Sequence, residues 1–104
     1  MPWRIRYHDN AQSDLLNLQT WIEDKAGPSR ADDYIDSILD YCDGFTTFPL
    51  RGTRRDDLYP GLRTVGFKRK ITIAFTVNDD DILIWRILSA GRNIEDVIED
   101  SDPP

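Results

Sequence analysis

Cysteine and histidine are almost absent from this sequence of 104 residues, which has only Cys42 and His8. One cysteine cannot form an internal disulfide, and without a Cys/His cluster a structural zinc site is excluded. The amino terminus has no apolar signal core, and no apolar run approaches the length of a membrane span. We therefore expect a single cytoplasmic domain over residues 1–104, with no membrane partner and no metal or cofactor.

Positive charge is also in deficit, because 13 Lys and Arg oppose 19 Asp and Glu for a net charge of −6. The basic residues concentrate between positions 51 and 92, where nine basic and five acidic side chains give 9 − 5 = +4. A net negative charge disfavours non-specific binding to nucleic acid, which depends on phosphate neutralisation by Lys and Arg. The basic segment is therefore the candidate functional region, whereas the acidic tail at 99–104 is expected to fray.

Hydrophobic periodicity predicts the secondary structure. Alternating residues predict four strands, at 3–8, 62–67, 71–77 and 82–88. Helical spacing predicts two amphipathic helices that meet at Gly27 and end near Gly44. The last strand is apolar on both faces and should be central, and a short helix after Asn93 is optional. The predicted fold is α+β with the order β-α-α-β-β-β, in which a helical hairpin packs on one face of a curved, mostly antiparallel sheet.

Several side chains have two open interpretations. Arg86 alternates with Ile82, Ile84 and Leu88, so it is either half-buried and paired to a carboxylate or exposed at a groove. The arginines of the loop at 51–61 stand beside Asp56 and Asp57 and form either a solvated loop or a contact surface. The three tryptophans, Trp3, Trp21 and Trp85, are assigned mainly to the core.

The order of the elements, the length and a series of motifs resemble the RelE/ParE superfamily of bacterial toxins, and within it the ParE-like branch. The motifs are Ala11-x-x-Asp14-Leu15, Gly27, Phe48-Pro49 with Arg51-Gly52, Leu58-x-Pro60-Gly61-Leu62-Arg63, and Ile84-x-Arg86-Ile87-Leu88 running into Gly91-Arg92. The resemblance covers the chain from about Trp3 to Asn93.

This resemblance implies the toxin of a type II toxin–antitoxin pair of the plasmid-stabilisation kind. ParE-like members bind DNA gyrase and are neutralised by a ParD-like antitoxin, whereas RelE-like members cut messenger RNA on the ribosome. The lone His8 leaves few groups for acid–base chemistry, which favours inhibition by binding, so no catalytic residue is assigned. An RNA endonuclease remains the alternative. A non-toxic relative is a third reading, because Ser89-Ala90 stands where the family usually has basic residues.

The predicted contacts fall into two sets. The target-binding residues are Arg63, Arg86 and Arg92. The antitoxin would lie in an apolar groove between hairpin and sheet, with Arg63 and parts of the 62–67 strand beside residues Trp21, Ile22, Tyr34, Ile38, Arg51, Arg54 and Arg55. Such a complex should bury more than about 2,000 Å². With its net charge, the protein is expected to supply no operator DNA contacts of weight.

Overall fold

The computed structural model describes residues 3–89 and 92–99. The elements in chain order are β1 (Arg4–Tyr7), α1 (Asp9–Ala26), α2 (Pro28–Asp43), a 3-10 turn (Gly44–Thr46), β2 (Thr53–Arg54), β3 (Arg63–Phe67), β4 (Ile71–Val77), β5 (Asp81–Ser89) and α3 (Ile94–Glu99). The predicted α+β architecture is confirmed, and the optional helix is present as α3. The predicted fraying concerns a tail that, from residue 100 onward, lies outside the described residues.

The strands form one five-stranded sheet in the order β1-β5-β4-β3-β2. β1 pairs in parallel with β5, and the other neighbours pair antiparallel, so the sheet is mostly antiparallel as predicted. β5 has a partner on each side, which explains why its sequence is apolar throughout. β2 was missed because its two residues are both exposed and carry no alternation signal.

The sheet has an apolar layer on each face. The larger cluster lies under α1 and α2 and includes Ile38, Phe45 and Phe75. A second cluster joins α3 to the opposite face through Trp85 and Leu88. The sequence prediction placed helices on one face only, and the short α3 covers part of the other.

A register shift in β5 decides which residues face the helical hairpin. Phe75 pairs with Ile84 and Ala74 pairs with Arg86, which leaves Trp85 as the extra residue. Because the alternation changes there, the predicted common face of Ile84, Arg86 and Leu88 is wrong: Leu88 packs with the α3 cluster. Arg86 instead reaches α1.

Among residues 3–89 and 92–99, no helix combines the length and the apolar character that a membrane span requires.

Candidate functional site

A groove of about 760 Å³ opens between the helical hairpin and the end of the sheet where β4 begins and β5 ends. Its apolar lining comes mainly from three residues of α1, Leu18, Trp21 and Ile22, and from Ile71 and Ile87 of the sheet. The α1 residues follow a spacing of three and four, which places them on one helix face. The further lining residues are Asp14, Asn17, Ala26, Arg30, Tyr34, Lys70, Ser89 and Arg92.

Trp21 is the most accessible large apolar residue among those that line this groove. It is 60% exposed, so its assignment to the core is wrong, whereas Trp85 is buried and donates its indole N–H to Thr76 at 3.0 Å. An exposed indole presents a large apolar surface together with one hydrogen-bond donor, a combination enriched at protein interfaces. The position of Trp21 therefore supports a binding role for the groove.

The groove carries an excess of positive charge along its edge. Arg30, Lys70 and Arg92 line it, and the described part of the chain gives Arg30 and Lys70 no ion-pair partner. Lys70 is the last residue of the turn between β3 and β4, in which Lys68 and Arg69 have positive φ angles of 53° and 62°. Non-glycine residues occupy this left-handed region at an energetic cost.

Lys68 fixes that turn against α2. Its ammonium lies 3.2 Å from the Ser37 hydroxyl, 5.1 Å from the centre of the Tyr34 ring and 5.3 Å from that of Phe67. These distances suit cation–π attraction, which holds the turn in place. The arrangement also covers one part of the Tyr34 ring and keeps Lys70 beside the groove.

A buried ion pair adjoins the groove through Asp14, which is one of its lining residues. The carboxylate of Asp14 accepts two bonds from Arg86, from Nε at 2.8 Å and Nη2 at 2.8 Å, and one from the backbone N–H of Ile87 at 2.9 Å. These bonds raise the pKa of the Arg86 guanidinium. Of the two interpretations of Arg86, the half-buried pair is confirmed. Sequence reasoning did not choose Asp14 as a site residue, although an acidic residue between Ala11 and Leu15 on an apolar helix face was an available signal.

Arg92 lies at the edge of the same groove. Its Nη1 atom is 3.9 Å from Asp14 Oδ1, which is too long for a hydrogen bond, and its side chain is 49% exposed. A backbone bond from Arg92 N–H to Ser89 O at 3.2 Å helps to place it. The structure thus brings one predicted target contact, Arg92, together with three predicted antitoxin contacts, Trp21, Ile22 and Tyr34.

Ile38 does not line this groove. It is fully buried in the core beneath α2, because it occupies the inward face of that helix with Ile35 and Cys42. Its prediction as a groove wall is therefore wrong: in this fold it offers no surface to a partner.

The arginines predicted to flank the groove lie elsewhere. Arg63 pairs with Phe75 in the sheet, four residues along β4 from the groove residue Ile71, or about 13 Å. Arg51 donates to the carbonyls of Phe48 and Gly44 at 2.7 and 2.9 Å, and it braces this loop. Neither these two residues nor Arg54 and Arg55 line the groove, nor do the described residues of β3. The roles of these four arginines in partner binding remain predictions, and any such contact would lie outside the groove.

Arg54 and Arg55 already have acidic partners. Arg54 makes two bonds to Asp56, and Arg55 contacts Asp57 at 3.0 Å and Glu95 at 2.7 Å. Hydrogen bonds from these guanidinium groups hold the pKa values of all three carboxyl groups below their ordinary values. The contact with Glu95 ties the loop to α3, so these arginines serve the fold of the loop.

His8 and Cys42, whose side chains are of types often used in catalysis, lie outside the groove. The His8 Nδ1 atom accepts the backbone N–H of Asn10 at 3.1 Å and caps α1. Cys42 is buried, and burial raises the pKa of its thiol to about 11. The described residues contain no group of three or more His, Cys, Asp or Glu side chains that could hold a metal ion.

Comparison with known proteins identifies the family. Residues 5–94 match the family described as the ParE toxin of the type II toxin–antitoxin system, parDE. Because the match covers most of the sequence, the chain belongs to the ParE toxin family. It is thus a ParE-type toxin of a type II toxin–antitoxin system, as the resemblance implied.

Two solved structures share the fold. One comes from the chromosomal ParDE system of P. aeruginosa, with a TM-score of 0.73 and 22% identity over 85% of this chain and 96% of that chain. The other comes from the RelBE2 toxin–antitoxin complex of Mycobacterium tuberculosis, with a TM-score of 0.61 and 17% identity over 86% of this chain and 99% of that chain. No match is found among curated proteins.

Proposed function

We propose that this protein inhibits DNA gyrase by binding it, so that the enzyme stalls with its DNA cut and replication stops. The observation that supports inhibition by binding is that the carboxylate of Asp14, which lines the groove, already accepts hydrogen bonds from within the protein. Arg86 and the Ile87 N–H occupy it with three hydrogen bonds, so it is poorly placed to take a proton from a substrate. The groove is otherwise an apolar surface with cationic edges, which suits recognition of a protein.

We further propose that a ParD-like antitoxin neutralises the toxin by laying an amphipathic segment in the groove. Trp21 and Ile22 would contact its apolar face, and the cationic side chains Arg30, Lys70 and Arg92 suit carboxylates flanking that face. The fold relative from P. aeruginosa belongs to a ParDE system, which supports the choice of antitoxin class. Operator binding is assigned to the antitoxin, because the toxin carries a net charge of −6.

A supercoiling and cleavage assay with purified gyrase tests the target. The toxin should block supercoiling and trap cut DNA, and Arg92→Ala should lose most of this inhibition while keeping its melting temperature. Arg54→Ala is the matched control, because that exposed guanidinium pairs with Asp56 and lies outside the groove. No inhibition and no trapped DNA at an approximately tenfold excess of toxin would refute gyrase as the target. An equal loss of inhibition in Arg54→Ala would refute the assignment of Arg92 as a specific target contact.

One observation favours the alternative of a ribosome-dependent messenger RNA endonuclease. Tyr34, Lys70 and Arg92 line the same groove, and such side chains can transfer protons or stabilise charge on phosphate. This alternative predicts cuts in translated messages soon after induction. Primer extension on abundant transcripts distinguishes the two functions, since a gyrase inhibitor leaves those messages intact.

A further inference from the structure

Asp14 lies between two arginines and is hydrogen-bonded to Arg86 but not to Arg92. Both of its oxygens accept bonds from Arg86, at 2.8 Å each, whereas the nearest guanidinium nitrogen of Arg92 stays 3.9 Å away. The Asp14 side chain is 4% exposed and that of Arg86 is 13% exposed, so water does little to screen this pair. The three side chains carry one negative and two positive charges, and the surplus positive charge lies on the half-exposed Arg92.

We propose that Arg86 is a positioning residue, which occupies Asp14 and thereby leaves the Arg92 guanidinium open at the edge of the groove to bind a carboxylate of the protein partner. This inference rests on the proposed function only in assigning a partner to the groove. It changes the predicted role of Arg86 from a target contact to a residue that acts through its neighbour.

The physical reason is the cost of an uncompensated buried charge. Without Arg86, the Asp14 carboxylate would retain the Ile87 N–H but lose its cationic partner. Within the described residues, Arg92 is the other cation within ion-pair distance of Asp14. It would need to move by about 1 Å to form a bond of ordinary length, and once paired it would be unavailable to a partner.

The apolar lining favours a protein carboxylate over a nucleic acid phosphate as the group that Arg92 binds. Trp21, Ile22 and Ile87 lie in the same groove and would gain from contact with apolar side chains, which a phosphodiester backbone does not supply. A bidentate guanidinium contact would then fix the orientation of the bound segment.

Chemical labelling of the free toxin tests the positioning without a partner. Phenylglyoxal modifies accessible guanidinium groups, and peptide mass spectrometry reports the rate at Arg92. In Arg86→Met that rate should fall by about tenfold, since labelling follows the fraction of Arg92 that is unpaired. The double variant Asp14→Asn with Arg86→Met should label at about the wild-type rate, because its neutral amide accepts the Ile87 N–H without attracting Arg92.

The direction of the change separates positioning from a general structural effect, because loss of structure would expose Arg92 and raise its labelling rate, whereas pairing with Asp14 lowers that rate. If Arg86→Met does not fold, as judged by circular dichroism, Arg86→Gln takes its place with the same expected loss. Unchanged labelling of Arg92 in the single variant, or no recovery in the double variant, would overturn the positioning role.

A second arm measures gyrase supercoiling with the same variants. Inhibition should be lost in Arg86→Met and return in the double variant. If labelling follows the prediction while no toxin form inhibits gyrase, the proposed target fails and the positioning role stands. If wild-type toxin inhibits gyrase but the double variant, with Arg92 labelled at the wild-type rate, does not, the assignment of Arg92 as the open partner contact is refuted.

Discussion

Asp14→Ala should be among the most destabilising substitutions in this protein. The change removes three hydrogen bonds, leaves the guanidinium of Arg86 without its carboxylate and leaves the Ile87 N–H without its acceptor. Side-chain exposures of 4% for Asp14 and 13% for Arg86 mean that water replaces little of what is lost. Breaking a buried pair from one side costs about 3–5 kcal/mol, a large share of the roughly 5–15 kcal/mol that holds a domain folded.

Urea unfolding followed by far-ultraviolet circular dichroism measures the loss of unfolding free energy, and thermal unfolding followed by the same signal measures the melting temperature. The melting temperature should fall by about 12–40 °C, since each of the roughly 3–5 kcal/mol lost shifts it by roughly 4–8 °C in a domain near this size. The double variant Asp14→Leu with Arg86→Met should be much closer to the wild type, because an apolar pair removes the buried charges together. A loss below about 1 kcal/mol in Asp14→Ala would show that the pair behaves like a surface salt bridge and refute the reasoning.

Three further predictions address the groove, the core and the loops. Trp21→Ala should weaken antitoxin binding by at least about tenfold, measured by calorimetry, whereas Leu16→Ala, 65% exposed on the same helix but outside the groove, should not. Burial raises the pKa of the Cys42 thiol from 9.0 to about 11. Between these pH values the thiol ionises in the unfolded state but stays neutral in the folded state, so the free energy of unfolding should fall as pH rises from about 9 to 11. Cys42→Ala should flatten that alkaline decline in urea titrations; an unchanged slope would contradict it. Gly52→Ala and Gly61→Ala both add strain at positive φ, but only at Gly52 does the new Cβ meet neighbouring backbone, so its melting temperature should fall further.

The sequence predicted the elements well where the pattern was local. The helices end near Gly27 and Gly44 as expected, and the apolar β5 has a neighbour on each side. These predictions succeeded because each rests on the periodicity of a single segment. The exception within β5 is the register shift at Trp85, which turns Leu88 to the opposite face and depends on pairing with β4.

The candidate site was predicted less well. Trp21, Ile22, Tyr34 and Arg92 do meet in one groove, whereas Ile38 is buried. The count of basic residues drew attention to the segment after residue 50, but charge along the chain does not reveal which charges are already paired. Arg30 and Lys70, which line the groove and have no ion-pair partner within residues 3–89 and 92–99, were not predicted as site residues.

By itself, the sequence determined the α+β class, the order of the elements and the membership of the ParE toxin family, because periodicity, turn residues and motif order are properties of consecutive residues. Only the tertiary structure decided which arginines pair with carboxylates of the protein itself and which can present their guanidinium group to a partner. Asp14 and Arg86 are 72 residues apart in the chain and form a buried pair because α1 packs on β5. Electrostatic pairing depends on distance and burial, which become defined when the helical hairpin and the sheet come together.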